Sequence, residues 1–362
     1  MMSTPDIFLR SIGVHLPPRV SVESAVARGD YPADEAELHG LTGVAVAGDV
    51  PAPDLALYAA QDAFKRSGHH PADIDLLLYA DSWHQGPDGW QPQYYLQRHL
   101  VDGDALAVEV RQGCNGMFAA LDLGAAYLRG AGKPGNALLV AADNFGTPML
   151  DRWRMGPGYL AGDAGSAVLL STEPGFARLA AVGSVAVPEA EQMHRGDEPL
   201  FPPGPTIGRA LDFRERNAEF KRAALLADGG TAALIRIHQQ TLAIVERTLD
   251  TAGLDVGDVA RVAYMNYSRE IVEQRCMAPL GLAMSRSTWE FGRAIGHLGA
   301  SDQIVSLEHL ISTAAVGPGD HVLLLGVGPG VTISCAVVEV LEPAPWPRRT
   351  PKPDEAAHRR RD

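Results

Sequence analysis

The 362-residue sequence is poor in cysteine, with Cys114, Cys276 and Cys335 only. The count is odd and no pair has CxxC spacing, which argues against a disulfide framework and against a cysteine-rich zinc site. His69-His70 lacks carboxylate or cysteine partners at ligand spacing, so no metal is expected. No apolar run approaches the ~20 residues of a membrane span. The start, Met1-Met-Ser-Thr-Pro-Asp6, has no basic stretch leading into an apolar one, so no signal peptide is expected and a cytoplasmic location follows. Basic residues are outnumbered, giving a net charge of −13, and a nucleic-acid role has no electrostatic support. With 46% hydrophobic and 21% charged residues, the chain has an ordinary globular composition. Its length allows one large core or two fused halves.

What is present is organised around Val110 to Leu128. This stretch opens on a glycine-flanked cysteine, Gly113-Cys114-Asn115-Gly116, and continues with Met117, Leu121, Leu128 and small residues, a pattern for a helix buried on most sides. Cys114 then falls at or just before a helix N-terminus, where unpaired N–H groups and the helix dipole favour a thiolate. The plain alternative is a buried, inert cysteine.

The rest of the chain alternates strands and helices. Strands are expected at Ile7 to Leu16, Ile74 to Ala80, Ala105 to Val110, Gly135 to Ala142 and Gly162 to Ser171, and a helix at Leu55 to Ser67 stopped by Gly68. The second half repeats this order. Gly68, Asp73 and Tyr79 pair with Gly253, Asp258 and Tyr264 at an offset of 185 residues, and Pro134-Gly135 pairs with Pro318-Gly319 at 184. Agreement between separate stretches implies a duplicated α/β unit, with the junction between 171 and 181. The same offset carries Cys114 to Gly299, inside Ile295-Gly-His-Leu-Gly-Ala-Ser-Asp-Gln303. A second helix N-terminus is expected there, beside the first, so that Cys114 and His297 meet in space. Residues 1–175 and 176–342 form the two halves. An insertion at 188–221, rich in proline and charge, is expected to be a cap or binding loop. Residues 343–362 are expected to be a disordered tail.

Together, Gln112-Gly-Cys-Asn-Gly116, Gly162-Asp-Ala-Gly-Ser166, Gly296-His-Leu-Gly-Ala-Ser-Asp302 and Gly326-Val-Gly-Pro-Gly-Val-Thr332 resemble the ketoacyl-acyl carrier protein synthase III-like members of the thiolase superfamily over residues 5 to 340. The resemblance implies a five-layered αβαβα fold, a homodimer, and an acyl donor on coenzyme A or acyl carrier protein, with no other cofactor. Two positions depart from the condensing members. Their His-Gln-Ala-Asn stretch falls on Tyr264-Met-Asn-Tyr267, so its histidine position holds Tyr264, and the asparagine of their Gly-Asn-Thr-Ser stretch is His297. The altered pattern resembles a natural-product subgroup that moves acyl groups to a hydroxyl, an amine or a carrier thiol.

From this come the candidate residues. Cys114 is the nucleophile that accepts the acyl group. His297 is the base, and Asp302 orients its ring, a reach of five residues that requires an irregular turn. The N–H groups of Cys114 and Gly330, or Gly328 in its place, are the oxyanion donors, since Pro329 has no N–H. Tyr264 and Asn266 are candidates for the acceptor pocket, although Tyr264 equally suits a strand end. Trp83, His84 and Trp90 are candidates for the acyl pocket or a dimer contact, and His194 for a contact with either substrate. The leading reading is an acyltransferase. A starter-unit condensing enzyme and a silent carrier-docking scaffold are the alternatives.

Overall fold

The structure, a computed structural model, describes residues 6–146, 150–196, 198, 200, 212–226 and 232–348. Eleven strands occur among them: β1 (Phe8–His15), β2 (Arg19–Ser21), β3 (Gly43–Ala45), β4 (Leu76–Ala80), β5 (Leu106–Val110), β6 (Asn136–Asp143), β7 (Ala164–Ser171), β8 (Ala177–Ala186), β9 (Val259–Ala263), β10 (His321–Gly328) and β11 (Thr332–Val340). Nine form one mixed sheet in the order β5-β4-β6-β7-β1-β8-β11-β10-β9. The first half contributes β5-β4-β6-β7-β1 and the second β8-β11-β10-β9, joined by a short antiparallel pairing of Phe8 with Arg178 and Leu9 with Ala177. Pairing repeats between the halves. β4 lies parallel to β6 as β9 does to β10, and β6–β7 is antiparallel, as is β10–β11. Among the described residues the second half has no strand that is a counterpart of β5.

Strand alternation explains the five layers. In β4, Leu76, Leu78 and Ala80 face a central core, while Leu77 and Tyr79 face an outer core shared with the helix Ala52–Ser67. In β10, Val322 and Leu324 face the centre, and Leu323 and Leu325 face a second outer core shared with the helix Ala232–Ala252. The central layer is the helix pair Gly116–Gly130 and Asp302–Ser312, which contributes Met117, Leu121, Leu128, Ile304, Leu307 and Ile311. These strands are near-continuous apolar runs because both faces are covered.

The duplication extends to small features. The helices Ala52–Ser67 and Ala232–Ala252 are followed by Gly68 and Gly253, both at φ 71°. Single turns with reciprocal caps follow at Pro71–Asp73 and Val256–Asp258. The chain crosses from the first strand set to the second between Ser171 and Ala177.

The insertion is described in part. It holds the helix Phe213–Leu226, fixed by the bidentate pair Arg214–Glu35 at 2.9 Å and by Phe213 N–H to Met155 O. The tail expected to be disordered from Pro343 is ordered through Arg348. Trp346 is buried, edge-on to Phe176 at 4.9 Å, and its indole N–H donates to Ser312 Oγ. Composition suggested disorder because Pro and Arg dominate locally, and one indole outweighs them. The remainder, 349–362, lies outside the described residues.

Candidate active site

Both turns ahead of the central helices are built alike. Gly113–Asn115 and Gly299–Ser301 are single 3-10 turns, opened by glycines at φ 56° and 59°, a conformation that other residues adopt only under strain. Each turn runs directly into a central helix. Cys114, partly exposed, lies in the first, and buried His297 precedes the second. Cys114 Sγ is 3.0 Å from His297 Nε2, and His297 Nδ1 is 2.5 Å from Asp302 Oδ2. The 3-10 turn is the irregularity that the five-residue reach requires. Asp302 is the first residue of its helix, and its Oδ1 also accepts the Leu298 N–H at 2.8 Å.

The backbone of His297 is clamped as well. Its N–H donates to Leu160 O at 2.7 Å, and its carbonyl accepts the Gly162 N–H at 2.8 Å. Beyond it, buried Asp163 accepts from Phe145 N–H, Ala47 N–H and the Arg152 guanidinium. The Gly162-Asp163 stretch therefore holds the backbone of His297.

Burial by itself would lower the His297 pKa. The Asp302 carboxylate and then the Cys114 sulfur reverse that and hold it well above 6.5. With Nδ1 committed to Asp302, Nε2 is left to face the Cys114 sulfur.

The glycine-rich turn after β10 lies against the cysteine turn. A Cβ on Gly113 would come within 2.6 Å of Pro329, and one on Gly328 within 3.2 Å of the Asn115 nitrogen. Gly330, at φ 109°, is exposed with nothing packed where its Cβ would be.

Other candidates separate. Asn266 is buried and supports the carboxylate instead of lining a pocket, with N–H and Nδ2 donating to Asp302 at 3.1 and 2.8 Å and Nδ2 also to Gly296 O. Tyr264 points the other way, into the outer core with Val262, because alternation along β9 turns it from the site. Trp83 packs with Phe145, Leu150, Met155, Tyr159 and Phe213 beside the triad. His84 is exposed, and Trp90 is a partly exposed ring 6.2 Å from Tyr95. His194 packs edge-on to Phe213 at 5.7 Å, and burial lowers its pKa.

Two residues were missed. The Tyr159 and Tyr267 rings stack at 4.7 Å, and each stands edge-on to the His297 ring, at 5.3 and 5.1 Å. Burial pushes both phenols up, and the nearby Cys114 sulfur adds to it. No periodicity marks either; the one signal was Tyr267 at the end of the Tyr264–Tyr267 stretch. Among the described residues no group of His, Cys, Asp and Glu is placed to hold a metal ion, and no helix is long and apolar enough to cross a membrane.

The 3-oxoacyl-[acyl-carrier-protein] synthase III family matches residues 108–184, and the C-terminal domain of the same synthases matches 249–340. The chain belongs to the synthase III-like family of the thiolase superfamily and is an enzyme of that superfamily. Among solved structures, it is 68% identical to ChlB3, an acyltransferase by its description, with a TM-score of 0.91 over 94% of this chain and 100% of that one. The 3-oxoacyl-(acyl carrier protein) synthase III of Pseudomonas aeruginosa shares the fold at 22% identity and a TM-score of 0.73, over 96% of this chain and 100% of that one. The β-ketoacyl-[acyl-carrier-protein] synthase III of Sinorhizobium medicae is 25% identical over 332 residues, 90% of this chain and 96% of the relative.

Proposed function

We propose that this enzyme takes an acyl group from a coenzyme A or acyl-carrier-protein thioester onto Cys114 and passes it to a hydroxyl or amine of a small molecule, or to a carrier thiol. The observation that carries this reading is the single base, His297, backed by Asp302 and facing the sulfur. In the first step the Cys114 thiolate attacks the thioester carbonyl, and the negative oxygen is held by the Cys114 N–H and a donor from Gly328 or Gly330. The donor thiolate leaves with the proton from His297. Acylation removes the sulfur's charge and the proton has gone to the leaving thiol, so the ring stays neutral and is free to accept a proton. Neutral His297 then takes the acceptor proton as its oxygen or nitrogen attacks, and the Cys114 thiolate leaves. The chemistry calls for no further cofactor.

Carbon–carbon condensation is the second reading, favoured by the names of the synthase III relatives. It needs an enolate held by two side-chain donors, and the histidine position of the condensing members is occupied by Tyr264, which faces away. Losing one such donor costs about 10²–10³ in rate. The test supplies the acyl donor with malonyl carrier in one tube and with hydroxylated or aminated small molecules in another, following acyl-enzyme by intact mass. Ester or amide product without carbon dioxide is expected. A β-ketoacyl product in the first tube alone would restore the condensing enzyme.

A homodimer is part of the proposal. β5 is an edge strand with Leu106 and Val108 exposed, and Leu123 and Tyr127 are exposed on the adjacent helix Gly116–Gly130. An apolar open edge of this kind calls for a partner.

A further inference from the structure

Two buried side-chain amides next to the triad have no part in the chemistry described so far. Asn115 directly follows Cys114, and Gln303 directly follows Asp302. They are 0% and 3% exposed. Both reach the hairpin of β10 and β11, which ends in the glycine-rich turn. Asn115 Nδ2 donates to Thr332 O at 2.8 Å and to Ser334 Oγ at 3.0 Å, and Ser334 Oγ lies 2.7 Å from Ser184 Oγ on β8. A carbonyl can only accept, so the amide sits one way round. Gln303 Nε2 donates to Leu325 O at 3.1 Å. Thr332 and Ser334 stand opposite Gly328 and Gly326 across the hairpin, so the two amides grip both strands just before the turn. Gly326 is where they converge. A Cβ there would be 2.8 Å from Asn115 Oδ1 and 3.0 Å from Gln303 Nε2. Only glycine lets both amides close on the strand at this point.

We propose that Asn115 and Gln303 are positioning residues that hold the glycine-rich turn in register with the two reactive turns. Asn115 fixes it relative to Cys114, and Gln303 fixes it relative to Asp302, so that an N–H of the turn meets the acyl oxygen as sulfur attacks. The proposal rests on the acyl-transfer reading and names the residues that set its oxyanion geometry. The cysteine turn already touches the glycine-rich turn, through Gly113 against Pro329 and Asn115 against Gly328. Contact of that kind lets two surfaces slide. A hydrogen bond is directional, and a donor bonded to a backbone carbonyl fixes that carbonyl. An apolar side chain of equal size would fill the same space without fixing Thr332 O or Leu325 O. Transition-state donors need that fixing, because they must be held to a fraction of an ångström.

Two reactions of the same sulfur separate positioning from general damage. Acylation by an acyl-coenzyme A passes through a tetrahedral oxyanion. Alkylation by iodoacetamide forms a carbon–sulfur bond as iodide leaves, and makes no oxyanion. Asn115→Ala in the full chain should slow single-turnover acylation by about 10–100-fold, with the half-saturating donor concentration unchanged. Alkylation at Cys114, located by peptide mass, should keep its rate and its pH profile. Gln303→Leu should show the same pattern more weakly, since it removes one hydrogen bond where Asn115→Ala removes two. Acylation at the wild-type rate in either variant removes that residue from the role. A fall in both reactions together, in both variants, reduces the amides to structural parts and overturns the proposal. If Asn115→Ala does not fold, Gln303→Leu decides by the same two assays. A wild type that is alkylated but gains no acyl mass sinks the acyl-transfer reading and this proposal with it. A wild type that is acylated, with unaffected variants, sinks this proposal alone.

Discussion

At the scale of single residues, the roles proposed for Cys114, His297 and Asp302 differ, so each substitution has its own expected signature. Cys114→Ala should leave a folded protein that gains no acyl mass on mixing with donor thioesters, checked by intact mass spectrometry. His297→Ala should slow turnover by about 10²–10⁴, and decay of the acyl-enzyme should suffer most, as rapid mixing can show. Asp302→Asn tests the linkage between His297 and folding. A histidine whose folded pKa is raised stabilises the fold fully below its ordinary 6.5, and that contribution is lost as pH rises through the folded value. Since Asp302 is the largest favourable cause of the raised value, the stability gap between wild type and Asp302→Asn should be widest near pH 6 and narrow in alkali, read by denaturant titration along a pH series. That Cys114, His297 and Asp302 come together was legible because motif spacing and duplication both point at that meeting. Asn266 was legible as a site residue but not in its role, because strand parity and turn geometry decide which way a side chain turns after β9. Tyr159 lay hidden in an irregular loop, where neither period nor spacing carries information.

At the scale of elements, the sequence showed β1, β4, β5, β6, β7 and the helix Ala52–Ser67 to within a few residues, while β8 and β11 were not assigned. It did not show the helix Phe213–Leu226, whose polar surface has little period of its own and whose placement rests on contacts such as Arg214–Glu35 from the first half of the chain. The matched 3-10 turns are the elements that matter for chemistry. Gly299→Ala places a methyl 2.2 Å from Asp143 Oδ2 at a positive φ, so the turn must shift. A loss of about 1–3 kcal/mol is expected from backbone strain, measurable by urea unfolding, and acylation should slow with it because His297 and Asp302 sit on either side of that turn.

At the scale of the whole molecule, the two halves are held together by more than the β1–β8 seam. The guanidinium of Arg66, on the helix Ala52–Ser67, meets buried Glu308 on the central helix at 2.8 Å, and Trp346 from the end of the chain lies 5.0 Å from the same guanidinium. Trp346→Ala should cost about 3–5 kcal/mol, the usual range for a buried indole, seen as a lowered midpoint in thermal or chemical unfolding. Val108→Lys on the open edge should produce a smaller species by light scattering if copies associate there.

The nine-stranded sheet has two unlike ends. The β9 end is already closed: Val262 forms a parallel bridge with Ser287, the Thr288 N–H donates to Val262 O, and Arg286 holds the Val259 carbonyl. The β5 end is bare. A strand that joins its own copy about a two-fold axis uses up both bare edges in one contact. A sheet with one open end can double but cannot polymerise. If copies pair through β5, as proposed, the lack of its counterpart among the described residues of the second half limits that assembly to a pair.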